Sequence, residues 1–262
     1  MIKLPALVDQ LTGFLQHQSA PYLFGISGGQ GAGKTTLCQA LVAALESHGK
    51  TAITLSLDDF YLSKAARAHL AETVHPLCAT RGVPGTHDVD LLKQTLIQLR
   101  DGHAIVPQFS KSHDDLMPAD QWPVMARRPD VILLEGWCVG ARAGFIDAAP
   151  QTAWEQSHDP QAQWKSWTQT AVAAYGEVWD ELQALLVLRQ ESFDAVIDSR
   201  WQQEQGNAAA TGVWQFTSRQ EVAAFCAHYE SWTLGLWAHL TPQADFAFIR
   251  DGDFSYHRLV SD

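Results

Sequence analysis

The chain has 262 residues, of which 46% are hydrophobic, and its formal net charge is −11. This length predicts one large domain, and the hydrophobic content is sufficient for a substantial core. The acidic balance argues against a nucleic-acid partner, because duplex binders need a basic surface. No apolar run approaches the roughly 18 residues of a membrane-spanning helix, so we expect no membrane partner either.

The cysteines and the N-terminal segment indicate a cytoplasmic protein. The first segment is predicted to be a helix with leucines on one face, rather than a signal peptide. The cysteines show no C-x-x-C spacing, which argues against a disulfide framework or a zinc site and predicts reduced thiols. They are Cys38, Cys78, Cys138 and Cys226.

Apolar periodicity predicts alternating helices and strands along the chain. The first half is predicted as helix 2–18, strand 22–27, helix 34–48, strand 51–57, helix 63–74, loop 75–87, helix 88–102, short strand 105–109, irregular segment 110–129 and strand 131–134. The second half is predicted as helix 160–183, strand 184–188, helices 191–206 and 218–238, and strand 246–249. Strands alternating with helices predict an α/β, three-layer fold with a mostly parallel sheet and helices on both faces. Eight of the ten tryptophans follow residue 150, which favours helices that pack on this sheet over a second nucleotide site.

A phosphate-binding loop lies between the first predicted strand and the next helix. Residues 28–35 fit G-x-x-x-x-G-K-[ST], in which glycines let several backbone N–H groups point at a phosphate. The helix N-terminus favours the same negative charge. The residues predicted to hold a nucleotide are Gly28, Gly29, Gln30, Gly31, Ala32, Gly33, Lys34, Thr35 and Thr36. Lys34 can reach the β- and γ-phosphates, and the Thr35 hydroxyl can bind Mg²⁺.

Two acidic residues close the next strands of the predicted sheet. Asp58 ends the second strand, where a carboxylate can take a proton from a substrate hydroxyl or bind a metal-bound water. Glu135 ends the third strand and can hold metal through water or orient a nucleophile. The alternative interpretations are a polar turn for Asp58 and a solvated strand end for Glu135. The predicted metal ligands are therefore Thr35, Asp58 and Glu135.

Polar residues after Asp58 predict an acceptor site. Arg81 suits a carboxylate or phosphate, because its planar guanidinium binds such groups through two hydrogen bonds. Asp88 also fits the N-cap of the following helix, and both roles stay open. Lys111 can contact phosphate or be solvated. Arg200, on a polar helix, can stabilise the transferring phosphoryl group from a lid or lie on a solvated face.

Together these segments resemble the D-glycerate 3-kinase family, within the P-loop kinases that include uridine kinase, pantothenate kinase and phosphoribulokinase. The matching stretches follow the family order: ISGGQGAGKTTL (26–37), LSLDDFYL (55–62), RGVPGTHD (81–88), PQFSKS (107–112), VILLEGWCVG (131–140) and SRWQQE (199–204). The DDFYL, RGxxGTHD and EGW motifs are more specific than a P-loop alone.

The resemblance implies an enzyme that uses ATP and Mg²⁺ to phosphorylate a hydroxyl of a small acid, namely D-glycerate to 3-phosphoglycerate. By position, Lys34 and Thr35 bind ATP and metal, Asp58 is the general base, Glu135 serves the metal or the nucleophile, and Arg200 is the lid arginine. The acceptor site takes in Asp58, Tyr61, Arg81, Thr86, His87, Asp88 and Lys111. We expect a single domain over residues 1–262, with an acceptor-site insertion at about 63–129 and a helical lid at about 190–210, as a monomer or a homodimer.

The chain departs from the family pattern around the acceptor and the lid. Ser110 stands where the family tends to have Asp, Gln121 where it has Arg, and Ser199 where it has the lid Trp. Alternatives are a kinase for a uridine- or pantothenate-like acceptor, a regulatory ATPase, or a nucleotide-binding protein without catalysis. None of the seven lysines lies in the N-K-x-D pattern of a GTPase.

Overall fold

A mostly parallel β-sheet organises the protein, whose structure is a computed structural model that describes residues 1–259. The strands in this range are β1 (Ile2–Lys3), β2 (Tyr22–Gly28), β3 (Ala52–Ser56), β4 (Ala104–Ile105), β5 (Phe109–Ser110), β6 (Asp115–Leu116), β7 (Val124–Met125), β8 (Val131–Gly136), β9 (Ala184–Arg189), β10 (Phe246–Arg250) and β11 (Ser255–Arg258). Seven of them form one sheet in the order β1-β11-β10-β9-β2-β8-β3, in which β11 runs antiparallel to both of its neighbours, β1 and β10. The pairs β4–β7 and β5–β6 stand apart from it.

Helices cover both faces of the sheet. They are α1 (Leu4–Leu15), α2 (Lys34–Ser47), α3 (Lys64–Thr73), α4 (Val89–Asp101), α5 (Ala153–His158), α6 (Gln163–Ala171), α7 (Gly176–Asp180), α8 (Phe193–Thr211), α9 (Arg219–Ala227) and α10 (Glu230–Leu240). Short 3-10 turns occupy Leu57–Phe60, Pro76–Ala79, Ala119–Gln121, Val172–Tyr175 and Thr241–Gln243. Within residues 1–259, no helix has the length and apolar character that crossing a membrane requires.

Two apolar cores lie on opposite faces of the sheet, because successive strand side chains alternate between the faces. On one face, Leu133 of β8 packs in a cluster with Leu11 of α1 and Leu41 of α2. On the other, its neighbours Ile132 and Leu134 pack with α4, α6, α7 and α10. Both faces of the central strands are therefore buried, which explains their nearly continuous apolar sequence.

The predicted α/β, three-layer architecture is confirmed, while several element bounds differ. Predicted helix 160–183 is divided into α6, a 3-10 turn and α7, and predicted helix 218–238 is divided into α9 and α10. The second break lies at Tyr229, whose hydroxyl donates to the Arg81 carbonyl at 2.8 Å, so a tertiary contact overrides the helical pattern. Predicted helix 191–206 extends to Thr211. The short elements β1, α5 and β11 carry too few residues for a periodic signal and were not predicted.

Candidate active site

The ends of three neighbouring parallel strands bring the predicted catalytic residues together. Strand β8 lies between β2 and β3, so that Glu135 is opposite Ile26 on one side and Ser56 on the other. The P-loop begins at the end of β2, and Asp58 follows the end of β3. Parallel sheets bind ligands at this carboxyl edge, and the register places the P-loop, Glu135 and Asp58 side by side there.

The P-loop has the backbone curl that a phosphate cradle needs. Gly31 and Gly33 have left-handed φ angles of 71° and 86°, and α2 begins directly after Gly33. The Lys34 ammonium donates to the carbonyls of Gly28 at 2.8 Å and Gly29 at 3.2 Å. The first N–H groups of α2 have no partner within the helix, and they favour an anion at this point.

The remaining predicted nucleotide-binding residues differ in their surroundings. Gln30 is fixed from the end of β9, because the Gln190 amide donates to its carbonyl at 2.9 Å. Ala32 is fully buried and belongs to the core beneath the loop. Thr35 and Thr36 are exposed in the first turn of α2. The P-loop is therefore held by the packing of Ala32 in the core and by the hydrogen bond from Gln190, which follows β9.

Gly31→Ala is expected to destabilise the protein by about 1–3 kcal/mol, because an alanine there combines a left-handed backbone with a steric overlap. A Cβ on Gly31 would lie 2.7 Å from the Ser199 Cβ of α8. The matched control is Gly206→Ala in α8, where a Cβ meets nothing within 4 Å and helix propensity favours alanine by about 0.5–1 kcal/mol. Urea unfolding of both variants measures the difference, and equal stabilities would contradict the overlap.

Thr35 and Glu135 form the part of the site that is suited to a metal. The Thr35 hydroxyl donates to a Glu135 carboxylate oxygen at 3.2 Å, and Glu135 is only 5% exposed. Residues 1–259 contain no group of three or more His, Cys, Asp or Glu side chains that could enclose a metal. This donor set fits Mg²⁺, which usually takes one or two protein oxygens and completes its shell with water and substrate phosphates. Asp58, the third predicted ligand, bonds to other partners.

Asp58 is held as an ionised carboxylate. Its two oxygens accept hydrogen bonds of 2.7 Å from the Tyr61 hydroxyl and the Lys111 ammonium. Burial by itself raises the pKa of Asp58, but the charge and hydrogen bond of Lys111 and the hydrogen bond of Tyr61 outweigh it and lower that pKa to about 2. The side chain remains 31% exposed. It is thus charged, oriented and accessible, as a proton acceptor must be.

Lys111→Met is expected to move the acidic limb of the pH–rate profile upward. Without the ammonium, burial is opposed by fewer favourable contacts and the pKa of Asp58 rises above its value of about 2 in the parent protein. The base form is then lost at a higher pH, as the pH falls through the raised pKa, than in the parent protein. We would measure kcat against pH with saturating substrates, with the exposed Lys64→Met as the charge-matched control. An acidic limb that coincides in Lys111→Met and Lys64→Met would contradict the pairing.

A second carboxyl group, Asp59, lies beside Asp58 and was not assigned a role from the sequence. It accepts a hydrogen bond from the Phe109 N–H at 3.1 Å. Burial, aided by the charges of Asp58 and Glu135, raises the pKa of Asp59 to about 6 against that hydrogen bond. The two adjacent carboxyl groups therefore differ in role: Asp58 stays ionised, and Asp59 anchors strand β5.

Two of the predicted acceptor residues fix the loop that carries Arg81 and the start of the helix after it. Thr86 is fully buried, accepts from the Gly82 N–H at 2.9 Å and donates to the Val83 carbonyl at 2.8 Å. Asp88 accepts from the Leu91 N–H at 2.9 Å and caps α4. Of the two roles left open for Asp88, the structure shows the cap.

His87 packs against Tyr61, the residue that donates to Asp58. Its ring stacks on the Tyr61 ring with 4.6 Å between centroids, and its Nδ1 lies 2.7 Å from the Tyr175 hydroxyl. Burial lowers the pKa of His87 to about 4, so the ring is neutral near pH 7. Thr86, His87 and Asp88 therefore make internal contacts that shape the predicted acceptor site.

Arg81 is paired within the protein. Its guanidinium donates to the Asp114 carboxylate and lies over the Phe109 ring at 5.5 Å. The fully buried Arg67 also binds Asp114, at 2.9 Å, and donates to its carbonyl at 2.7 Å. These contacts secure the hairpin of β5 and β6, whose turn carries Lys111. Arg81 therefore positions the predicted acceptor site and keeps part of its surface, 24% of the side chain, exposed.

Arg200 lies apart from the other predicted site residues. It pairs with Glu204 at 3.0 Å, donates to the Gln215 amide oxygen at 3.1 Å and lies over the Phe216 ring. Within residues 1–259, it has no hydrogen bond or ion pair with the P-loop, Asp58 or Glu135. The neighbouring Ser199, not Arg200, touches the P-loop at Gly31. In this conformation Arg200 joins helix α8 to the segment that follows it.

Sequence reasoning missed several residues that build the site. The supporting side chains are Arg67, Asp114, Tyr175, Gln190 and Tyr229. Each acts through a contact between residues distant in sequence, and none belongs to a motif with recognisable spacing. Only the left-handed turn at Asp114 follows a local preference, since Asp tolerates that conformation better than most residues.

The known proteins that this chain resembles are kinases, which agrees with a P-loop placed beside carboxylates at the strand ends. A model of the Phosphoribulokinase / Uridine kinase family matches residues 23–141, which run from β2 to just beyond β8. The chain is 30% identical over 249 residues to the uncharacterised kinase mug58 of Schizosaccharomyces pombe, with 87% of each chain covered. The protein therefore belongs to the phosphoribulokinase/uridine kinase family of P-loop kinases.

Two proteins named as D-glycerate 3-kinases are also similar to this chain. The chain is 30% identical over 221 residues to the chloroplastic D-glycerate 3-kinase of Arabidopsis thaliana, covering 80% of this chain and 46% of the plant protein. The solved structure of D-glycerate 3-kinase from Cryptococcus neoformans superposes with a TM-score of 0.75 at 23% identity, covering 97% of this chain and 99% of that one. The structural likeness shows that the fold is shared over nearly the whole length.

Proposed function

We propose that this protein transfers the γ-phosphoryl group of ATP to a hydroxyl of D-glycerate, giving 3-phosphoglycerate. The observation that carries the proposal is the ionised, partly exposed Asp58 carboxylate at the strand end beside the P-loop and the Thr35–Glu135 pair. An oriented base next to a phosphate cradle is the arrangement that phosphoryl transfer to an alcohol requires.

The nucleotide side of the reaction rests on the P-loop. Its backbone N–H groups and the N-terminus of α2 would bind the phosphates, and Lys34 would contact the β- and γ-phosphates. Thr35 and Glu135 would hold Mg²⁺, Glu135 directly or through water. The bound Mg²⁺ neutralises charge that develops on the phosphate oxygens. Asp58 would accept the proton of the attacking hydroxyl.

The acceptor side favours a small anion. The side chain of Lys111 is 64% exposed and its ammonium contacts Asp58, while Arg81 pairs with Asp114 of the same hairpin. The exposed part of Lys111 would contact a substrate carboxylate while Asp58 faces the hydroxyl. The similarity to a plant D-glycerate 3-kinase supports glycerate among small hydroxy acids. The four free cysteines, all buried, fit the reducing cytoplasm that we propose as its location.

A related kinase activity is the second candidate. The matched family model covers uridine kinases, so a uridine- or pantothenate-like acceptor would use the same P-loop and base. A regulatory ATPase would instead hydrolyse ATP without any acceptor.

An acceptor panel tests the proposal. Release of ADP from MgATP would be followed with D-glycerate, L-glycerate, uridine, pantothenate or no acceptor. We expect turnover that depends on D-glycerate and only background with the others. Turnover on uridine or pantothenate without turnover on D-glycerate would refute the glycerate assignment, and turnover independent of any acceptor would favour the ATPase.

A further inference from the structure

Arg250, the last residue of β10, is a buried cation without a carboxylate partner. It is 4% exposed, and within residues 1–259 no Asp or Glu oxygen forms an ion pair with it. One guanidinium nitrogen donates to the Ser199 hydroxyl at 3.3 Å. The Nε atom is buried and has no hydrogen-bond partner among the described residues. Burial lowers the pKa of this guanidinium. A buried charge in this state is costly unless an anion reaches it.

The Arg250 side chain lies against the P-loop. A Cβ placed on Gly33 would be 3.8 Å from both Cδ and Nε of Arg250. Gly33 is the N-cap of α2, so the unpartnered N–H donor sits next to the backbone that is predicted to bind phosphate. Ser199, the other neighbour of Arg250, contacts the same loop at Gly31.

The following turn holds the guanidinium in place. The Phe254 ring lies over Arg250, with 4.2 Å between the guanidinium carbon and the ring centroid. Phe254 has a left-handed φ of 62°, which is unfavourable for an aromatic residue and persists only where its surroundings enforce it. An aromatic face attracts a cation but offers no acceptor for its N–H groups. The hydrogen-bonding capacity of Arg250 is therefore left for another group.

The sheet order determines which part of a nucleotide Arg250 can reach. Strands β10 and β9 lie on one side of β2, whereas β8 and β3, which carry Glu135 and Asp58, lie on the other. The phosphoryl group that is transferred must lie toward Asp58. Arg250 therefore faces the phosphates that remain on the nucleotide after transfer.

We propose that Arg250 is a ligand of the nucleotide's non-transferred phosphates, which it binds from the β10 side of the P-loop. This inference rests on the proposed function in taking the bound anion to be a nucleotide and Asp58 to lie on the side of the transferred phosphoryl group. It assigns to Arg250 a binding role that ADP and ATP share. Adenosine, which has no phosphate, does not engage it.

Calorimetric titration of Arg250→Met with ADP, ATP and adenosine tests the assignment without any acceptor. We expect Kd for MgADP and MgATP to rise by about 10- to 100-fold, the range of one charged hydrogen bond, and Kd for adenosine to stay within about twofold. Arg250→Lys keeps the charge without the planar donor pair and should lie between the two. The exposed Arg258→Met on the adjacent β11 is the charge-matched control and should bind like the parent.

Two results would overturn the assignment. MgADP affinity unchanged within about twofold in Arg250→Met would remove the contact, and equal losses for ADP and adenosine would place it on the base instead. Thermal unfolding of each variant without ligand checks the fold, and Arg250→Lys decides if Arg250→Met does not fold. Failure of the proposed function would appear separately, as a parent protein that binds nucleotide but phosphorylates no acceptor.

Discussion

Asp58→Asn is expected to lower kcat for phosphoryl transfer by about 10³-fold while Kd for MgATP changes less than about threefold. The amide keeps the size of the carboxylate and can still meet Tyr61, but it cannot take the proton of the attacking hydroxyl. It also removes the charge that pairs with Lys111 at 2.7 Å. Steady-state turnover and nucleotide titration on the same preparation separate the two effects.

Two controls define what the Asp58 result means. Asp120→Asn removes an exposed carboxylate from a 3-10 turn and should leave both kcat and Kd unchanged. Thermal unfolding of Asp58→Asn shows whether the unpartnered Lys111 has disturbed the hairpin of β5 and β6. Turnover within about threefold of the parent would remove Asp58 from the mechanism and leave Glu135 as the carboxylate to test.

Lys34→Met should reduce kcat/KM by about 10²- to 10³-fold, because it removes a positive charge directed at the phosphate that carries the transition-state charge. The structure adds a second consequence. The Lys34 ammonium bonds to the carbonyls of Gly28 and Gly29, so the variant also loses an internal support of the P-loop. We therefore expect Kd for MgATP to rise together with the fall in kcat.

Lys64→Met is the matched control for Lys34→Met, because it removes one exposed lysine from the same protein without touching the P-loop. Turnover and nucleotide titration of the two variants, measured side by side, isolate the local effect of Lys34 from a general change in net charge. Equal kcat/KM in the two variants would show that Lys34 has no role in transfer.

The P-loop and its flanking elements could be predicted because their signals are local. The glycine spacing, the apolar strand before it and the helical stripe after it occupy one continuous segment, and the structure has strand β2, the loop and helix α2 there. The alternation of strands and helices predicts that Asp58 and Glu135 lie at one carboxyl edge of the sheet, because parallel strands align their carboxyl ends. It does not predict that β8 lies between β2 and β3, which brings Glu135 next to both the P-loop and Asp58.

Contacts between distant segments explain what the sequence did not predict. Arg81 was predicted to face a substrate, but Asp114, 33 residues further along, binds it. The sequence did not predict the ion pair of Lys111 with Asp58. Lys111 lies in a hairpin whose two-residue strands are too short to show a periodic pattern. Arg250 lies in an apolar strand whose sequence predicts only burial. The contacts of Arg250 with Ser199 and with the P-loop join segments that are distant in sequence, so no local pattern predicts them.

Phosphorus NMR of the reaction product tests directly whether the phosphoryl group is transferred to the primary hydroxyl of D-glycerate. After incubation with MgATP and D-glycerate, we expect ADP and a phosphate monoester whose signal is split into a triplet by the two protons of the adjacent CH₂ group, as in 3-phosphoglycerate. A doublet from the secondary hydroxyl, or inorganic phosphate as the sole new signal, would contradict transfer to the proposed position.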